Sequence, residues 1–441
     1  MPSAPPTTSG RSRPLIFVLC WLCLLADGYD LMSYGATLPG LIGRPPLALT
    51  PVEAGHIGSL ALVGMLVGSL VAGTLTDRVG RRRIFISSVA IFSLGMLLTS
   101  FASTPDTFLA ARILTCFGVG GLLPTAVALA TEFASPRTRS RTLALVLTGP
   151  PTGMVLAAAA AAWLVPTHGA RPVYALAGAF LLLLPVLWLR LPESPAYLLA
   201  RGRATEAAEV AVVHGLETPA PPATPTARTT VRTLLTPGML GATLLIWATT
   251  FFSLLTVFGI TTWLPQVMTQ AGYGLGSSIR FLLVYCVGAV LGTVVAGRLA
   301  DRVGPKPLVV VGYACAVAAL LLIALRPPSA VLLVLVLVAG FGGFGTQNIL
   351  NDFIARFYPP AVRATGLGWA LGVGRLGGIV GPTFGAWVIT QSAPLTATSL
   401  AFAATAALGG LVMLLVPKAV EARAATSAPD ADPAASAVRP A

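Results

Sequence analysis

Gly73-Thr74-Leu75-Thr76-Asp77-Arg78-Val79-Gly80-Arg81-Arg82-Arg83 returns, degraded, as Gly297-Arg298-Leu299-Ala300-Asp301-Arg302-Val303-Gly304-Pro305-Lys306. The offset is 224 residues (297 minus 73) in a chain of 441. Each copy lies between two apolar stretches long enough to cross a bilayer, so the chain reads as two copies of one membrane unit. In many secondary transporters the halves repeat in this way, and the substrate is held where they meet.

Composition agrees. Hydrophobic residues make up 55% of the chain and charged residues 10%, against roughly 25% charged in soluble domains. The net charge of +13 does not mark a nucleic-acid binder, because the basic residues are dispersed between apolar runs. The first apolar run carries two aspartates and no cleavage pattern, so it reads as a retained helix and not a signal peptide. Cys20, Cys23, Cys116, Cys286 and Cys315 all fall inside apolar segments. Even the C-x-x-C of Cys20 and Cys23 is read as buried thiols packing as small hydrophobes. His56, His168 and His214 lie in loops or at helix ends, with no metal or nucleophile spacing. No enzyme, cofactor or metal is expected.

A spanning helix needs about 20 mainly apolar residues. Twelve such stretches are centred near Leu24, Met65, Phe92, Gly120, Val155, Leu181, Phe252, Leu291, Val317, Leu337, Gly377 and Leu408. The expected fold is an all-α membrane protein with twelve transmembrane helices in two six-helix pseudo-repeats. Its parts would be an N-terminal tail (1–13), a first half (14–191), a Pro/Thr/Ala-rich linker (192–238), a second half (239–417) and a disordered tail (418–441). The linker holds a short amphipathic piece around Glu206 to Val213. With the N-terminus cytoplasmic, about 22 of the 28 basic residues fall inside and only Arg44, Arg171, Arg280 and Arg326 outside. The positive-inside rule then places both termini in the cytoplasm of a bacterial inner membrane.

Arg112 and Arg375 remain within apolar runs, as do Asp27 and Asp30. An ionisable residue in the membrane costs at least ~2.5–3.5 kcal/mol and is a functional hypothesis by default. Asp27 and Asp30, three apart, share one face of helix 1 with Cys20, Cys23 and Tyr34. Asp27 is twelve residues beyond Leu15, roughly 18 Å along the helix and near mid-membrane. Two carboxylates so close do not both stay ionised in a low dielectric, so one is expected to carry a proton. Arg112, near the outer end of helix 4, either pairs with a helix 1 aspartate or snorkels to headgroups. Asp27, Asp30 and Arg112 form the proton-coupling set.

Arg375 lies about twelve residues, or ~18 Å, into helix 11, among Gly368, Gly372, Gly374, Gly377, Gly378 and Gly381. Helix 11 offers it no acid. Its anion is either a substrate carboxylate, gripped by two hydrogen bonds, or Asp352 or Asp30 from another helix. In helix 10, Asn348, Asn351 and Asp352 form a polar patch just below Phe341 and Phe344. They would bond either a substrate or the neighbouring glycine-rich backbone. The substrate-binding set is Arg375, Tyr34, Asn348, Asp352 and Phe344. In the repeated loop, Gly73 is expected to bring helix 2 close to a neighbour and Gly80 to permit the tight turn. Asp77 is expected to cap a facing helix N-terminus and pair with loop arginines. Gly73, Asp77, Arg78, Gly80, Arg82, Asp301 and Arg302 are the gating set.

The loop motif resembles the signature of the major facilitator superfamily. Asp27-Gly28-Tyr29-Asp30 resembles helix 1 of its aromatic acid:proton symporter family. Arg112 through Glu132 in helix 4, Pro192-Glu193-Ser194-Pro195 after helix 6, and Tyr358-Pro359 through Arg363-Ala364-Thr365-Gly366 to Gly374-Arg375 in helices 10 and 11 resemble that family as well. The resemblance runs from about Pro14 to Pro417 and implies the major facilitator fold. It also implies import of benzoate, hydroxybenzoate, protocatechuate or related acids with protons. Carried over, Asp27 and Asp30 are the essential helix 1 carboxylates, Asp77 and Gly80 the cycling residues, and Arg375 the carboxylate contact. Two departures stand out: the second loop copy lacks the arginine pair, and helix 5 follows Thr148-Gly149-Pro150-Pro151 with alanines. The expectation is a monomeric alternating-access importer of a small organic anion with protons, embedded in lipid and binding no nucleic acid. A sugar, polyol or aliphatic acid porter and a proton-driven drug exporter are the alternatives.

Overall fold

A computed structural model describes residues 13–135, 138–216, 231–359, 362–391 and 394–417. The expected tails, and residues 217–230 of the linker, lie outside the described residues. Within them twelve long helices follow one another, and the sole extended pairing among the described residues is a bridge between Ile42 and Leu49. They are α1 (Arg13–Thr37), α2 (Pro51–Val79), α3 (Arg81–Phe101), α4 (Pro105–Phe133), α5 (Gly149–His168) and α6 (Arg171–Arg190). After the linker come α7 (Leu240–Gln270), α8 (Leu275–Val303), α9 (Pro305–Ala324), α10 (Ser329–Phe357), α11 (Arg363–Ile389) and α12 (Pro394–Leu415). In hydrocarbon every backbone N–H and C=O must be satisfied within the segment, and helices do this.

Eleven of these helices are long and apolar enough to cross a membrane. The twelfth, α11, has 27 residues, about 40 Å at 1.5 Å per residue. Its glycines and Arg375 dilute its hydropathy, and it packs inside the bundle against α2 and α7. Each expected helix centre falls within one of the twelve. Two helices are irregular: α6 tightens to a 3₁₀ stretch at Ala179–Leu183, and α10 widens to a π turn at Phe341–Gly345.

Local chemistry sets the ends. Thr50 and Glu53 form a reciprocal capping box ahead of α2, with Pro51 at the first helical position. The repeated loop acts identically in both copies. Gly80 (φ +111°) ends α2 and Gly304 (φ +84°) ends α8, so that α3 and α9 begin at the next residue. Only glycine adopts such a backbone cheaply.

The hydrophobic core divides unevenly. At the face bearing the α1–α2 and α7–α8 connections, one cluster draws on both sets of six helices, joining Tyr34, Ala54 and Ile57 to Ile260, Trp263 and Ala386. There α1 meets α7, α2 meets α11 and α5 meets α8. The Ser59 and Thr383 hydroxyls bond across this junction at 2.7 Å. At the opposite face, which bears the linker, the core splits. One cluster holds residues of the first six helices and their connections, such as Phe85 and Leu129, with the linker packed on it; the other holds residues of the last six and their connections, such as Val309 and Phe353, with Leu234 of the linker. A Cβ built on Gly73, Gly297, Gly368 or Gly372 would meet nothing within 4 Å. The molecule is a wedge, sealed at one face and parted at the linker face. The expected close approach at Gly73 is therefore wrong, because that glycine borders the parted side.

The linker folds back on the first six helices. Its helix Ala204–Val213 ends at His214, whose ring meets Phe133 edge-on at 5.3 Å. Arg13 donates to the carbonyls of His214 and Gly215. Burial, with the Arg13 charge beside it, holds the His214 imidazole below its ordinary pKa. The docked linker thus favours the neutral ring, and docking weakens as pH falls through about 6.5 and below. Amide exchange across residues 204–213 should accelerate on acidification beyond the intrinsic rate change, and His214→Phe should remove that excess.

Candidate functional site

Helix α1 is buried along nearly its whole second half, held by α4, α5 and α7. Gly28 makes this possible: a Cβ there would lie 1.8 Å from the carbonyl oxygen of Pro150. Backbone-to-backbone contact with α5 therefore requires glycine between the two aspartates. Asp27 and Asp30 are 4% and 2% exposed, and they meet different neighbours.

Asp30 is fully engaged. Its Oδ1 accepts from Arg112 Nη1 at 2.5 Å and its Oδ2 from the Cys116 thiol at 3.4 Å. The Arg112 guanidinium sits over the rings of Tyr34 and Tyr174, 5.5 and 5.9 Å from their centroids, a cation–π arrangement favoured when desolvated. Arg112 is thus a pairing residue and not a snorkelling one. Tyr34 donates its hydroxyl to the Ala54 carbonyl at 2.5 Å, so it ties α1 to α2 and has no proton left for a ligand. A narrow crevice bounded by Asp30, Tyr34, Arg112, Phe258 and Pro382 runs from this pair to the second six helices.

Asp27 is different, because its Oδ1 is buried with no hydrogen-bond partner. The basic group whose charge acts on it is Arg375. Arg375, half-buried on α11, donates to the Ser69 hydroxyl of α2. Among the described residues no carboxylate lies within ion-pair distance of it. Both expected protein partners are taken elsewhere: Asp30 by Arg112, and Asp352 by Arg356 at 2.9 Å. Asp27 and Arg375 therefore face one another across the wedge, each without a counter-ion in contact.

The helix 10 expectation fails in part. Phe344 packs against Phe258, ring centroids 6.4 Å apart. Asn348 is exposed and donates to Thr293 at 2.9 Å, and Asp352 pairs with Arg356 four residues along its own helix. Neither joins Arg375. The π turn at Phe341–Gly345 adds a residue to one turn, which rotates everything after it by about 100°. The amide it buries is Gln347, 4% exposed. Its Nε2 donates to Asn351 at 2.9 Å while its Oε1 has no partner. The only sequence signal for this was the glycine-rich Phe341-Gly342-Gly343-Phe344-Gly345.

The loop network is also rearranged. Asp77 is exposed and caps no helix among the described residues, though its charge acts on Arg81. The cap of α3 is Glu193, which accepts from the backbone N–H groups of Arg82 and Ser194, both at 3.0 Å. Arg81 pairs with Glu132, which also accepts from the Ser194 hydroxyl. Arg82 lies over the Trp188 ring, and Arg78 offers its carbonyl to Tyr197 and Arg201. In the second copy Arg302 is exposed, the Asp301 side chain lies outside the described residues, and Lys306 donates to the Leu414 and Val416 carbonyls. Among the described residues, these loop contacts stay within one set of six helices or its linker. No His/Cys/Asp/Glu group among the described residues has metal-binding spacing.

Comparison with known proteins fits this architecture. The profile of the Major Facilitator Superfamily matches residues 20–382 and again 282–439. The chain belongs to that superfamily and is a multi-pass membrane transporter, not an enzyme. More particularly, it is 33% identical to the benzoate transport protein of Acinetobacter baylyi over 91% of this chain and 89% of that one. It is 34% identical to the gallate transporter of Pseudomonas putida over 89% and 90%. The xylose transporter XylE of E. coli, in a partially occluded inward open conformation, superposes with a TM-score of 0.72. That alignment covers 92% of this chain and 98% of XylE at 18% identity.

The Asp30–Arg112 pair generates a stability prediction. Arg112→Ala leaves a carboxylate buried without its counter-ion and should cost about 3–5 kcal/mol. The double variant Asp30→Asn/Arg112→Gln should recover most of that loss. Thermal unfolding of the purified proteins in detergent checks both, and an Arg112→Ala melting temperature equal to the parent's would refute the pairing.

Proposed function

We propose that the protein imports a small aromatic carboxylate with a proton, Asp27 carrying the proton and Arg375 anchoring the carboxylate. The observation that carries this is the open pair. Arg375 sits ~18 Å into its helix with no contacting carboxylate among the described residues, and Asp27 faces it with an unpartnered oxygen. Asp30, with both oxygens occupied, is a structural anchor that fixes Arg112 and α1.

The proton and the anion then depend on one another. Ionised Asp27 and Arg375 neutralise each other at a distance. Protonation of Asp27 leaves the guanidinium uncompensated in a low dielectric, where a second anion is strongly favoured. A planar carboxylate suits the two-pronged guanidinium, and Phe258 and Phe344 supply apolar walls nearby. The transport of benzoate and gallate by relatives at about one-third identity supports an aromatic cargo.

The wedge supports an alternating-access reading. The parted face bears the linker and, by the positive-inside count, faces the cytoplasm with both termini. The conformation would then be inward-open, and the other state would close this face and part the junction at Ser59 and Thr383. Both sets of six helices belong to one chain, so a monomer suffices.

One proton with one monocarboxylate moves no net charge, so an inward pH gradient should drive about tenfold accumulation per unit. In proteoliposomes, radiolabelled benzoate should accumulate accordingly. Arg375→Ala should lose both accumulation and exchange of labelled for unlabelled benzoate. Asp27→Asn, a mimic of the protonated state, should keep exchange and lose accumulation. Gradient-driven accumulation by Asp27→Asn would remove the proton from Asp27.

A further inference from the structure

At the sealed face, away from the wedge, the first six helices enclose a cavity of about 160 Å³ that the transport scheme does not use. Phe108 and Tyr174, each 1% exposed, close its inner end by packing edge-to-face on one another, centroids 5.7 Å apart. The connection between α1 and α2 covers it with Pro45 and Pro46, and its mouth carries His168 and Arg171. No acidic residue borders it. Arg171 leans over the rim and donates to the Ala102 carbonyl at 3.5 Å.

The charge distribution singles out this corner. Only four arginines (Arg44, Arg171, Arg280 and Arg326) belong to this face in the sequence count. Arg171 stands at the mouth and Arg44 in the covering connection beside Pro45. The α6 N-terminus also begins here with no side-chain cap, but Pro172 has no N–H and the Val173 N–H is spent on the Ala170 carbonyl at 3.1 Å, so the positive charge at the mouth comes from the side chains. An apolar lining from Leu41, Pro45, Pro46 and Leu47, basic groups at one end and no acid among the lining residues make a site for an aromatic ring bearing a carboxylate. The Tyr174 ring at the inner end also lies against Arg112, so an occupant would be one ring away from the Asp30–Arg112 pair.

We infer that this cavity is a second, peripheral binding site for the aromatic carboxylate, distinct from the Arg375 site. It captures the anion on the outer face before the wedge opens to it. The inference rests on the aromatic-acid reading above. Because only the first six helices build it, a rocking motion of the two sets leaves it intact in both conformations.

Equilibrium binding of radiolabelled benzoate to the purified full chain in detergent tests this. The parent should bind two molecules, Arg375→Ala one, and His168→Ala/Arg171→Ala one. One molecule in the parent and none in Arg375→Ala overturns the peripheral site and leaves the transport reading standing. No binding to the parent overturns both. A second measurement is independent of stoichiometry. His168→Cys in the Arg375→Ala background gives a thiol at the mouth, while four native cysteines are buried and Cys315 is partly buried. Saturating benzoate should slow its modification by a membrane-impermeant maleimide about tenfold, and unchanged labelling overturns the site.

Discussion

A charge in hydrocarbon must be matched or neutralised, and here two carboxylates and two guanidiniums meet that constraint in two ways. Asp30 and Arg112 are in contact, buried, and braced by Cys116, Tyr34 and Tyr174. Asp27 and Arg375 belong to opposite sides of the wedge and feel one another without touching. The closed pair holds α1 to α4. In the proposed reading the open pair is the one that responds to a proton and an anion. Were Asp27 also paired, a proton would have nowhere to act; were Asp30 unpaired, α1 would lack the anchor that fixes Asp27.

The packing around these charges explains how a local change would reach the whole molecule. Gly28 brings α1 onto the α5 backbone, so α1 moves with its neighbours as one body. The loop networks bind each set of six helices internally, through Glu193, Glu132 and Arg81 on one side and Lys306 on the other. Between the sets, the shared core and the Ser59–Thr383 contact lie at one face, and Arg375 to Ser69 crosses deeper in the wedge. In the proposed cycle, loading of Arg375 exchanges that crossing for a ligand, and two stiff bodies rock about the site between them.

Much of this was legible in the sequence, because hydropathy and the repeated loop are one-dimensional signals. Twelve apolar stretches and two glycine turns map onto twelve helices and two positive-φ residues. The intramembrane charges were equally visible, since each is costly enough to stand out. Rotational register was not. Asn348 and Asp352 read as a polar patch, and a single π turn at Phe341–Gly345 turns them away and buries Gln347 instead. Asp77 was given the capping role because it lies in the motif, yet Glu193, 113 residues from Gly80 (193 minus 80), reaches the α3 N-terminus through the fold. Gly73 looked like a packing glycine, but whether a small residue meets a neighbour depends on which side of the wedge it faces.

The central claim is that anion binding at Arg375 and proton binding at Asp27 are one event. The most direct test counts protons taken up by purified protein when benzoate is added in weakly buffered solution, starting with Asp27 ionised. The account predicts about one proton per benzoate bound at the Arg375 site, and none for Asp27→Asn although that variant still binds benzoate. Benzoate binding without proton uptake in the parent, or with undiminished uptake in Asp27→Asn, would contradict it.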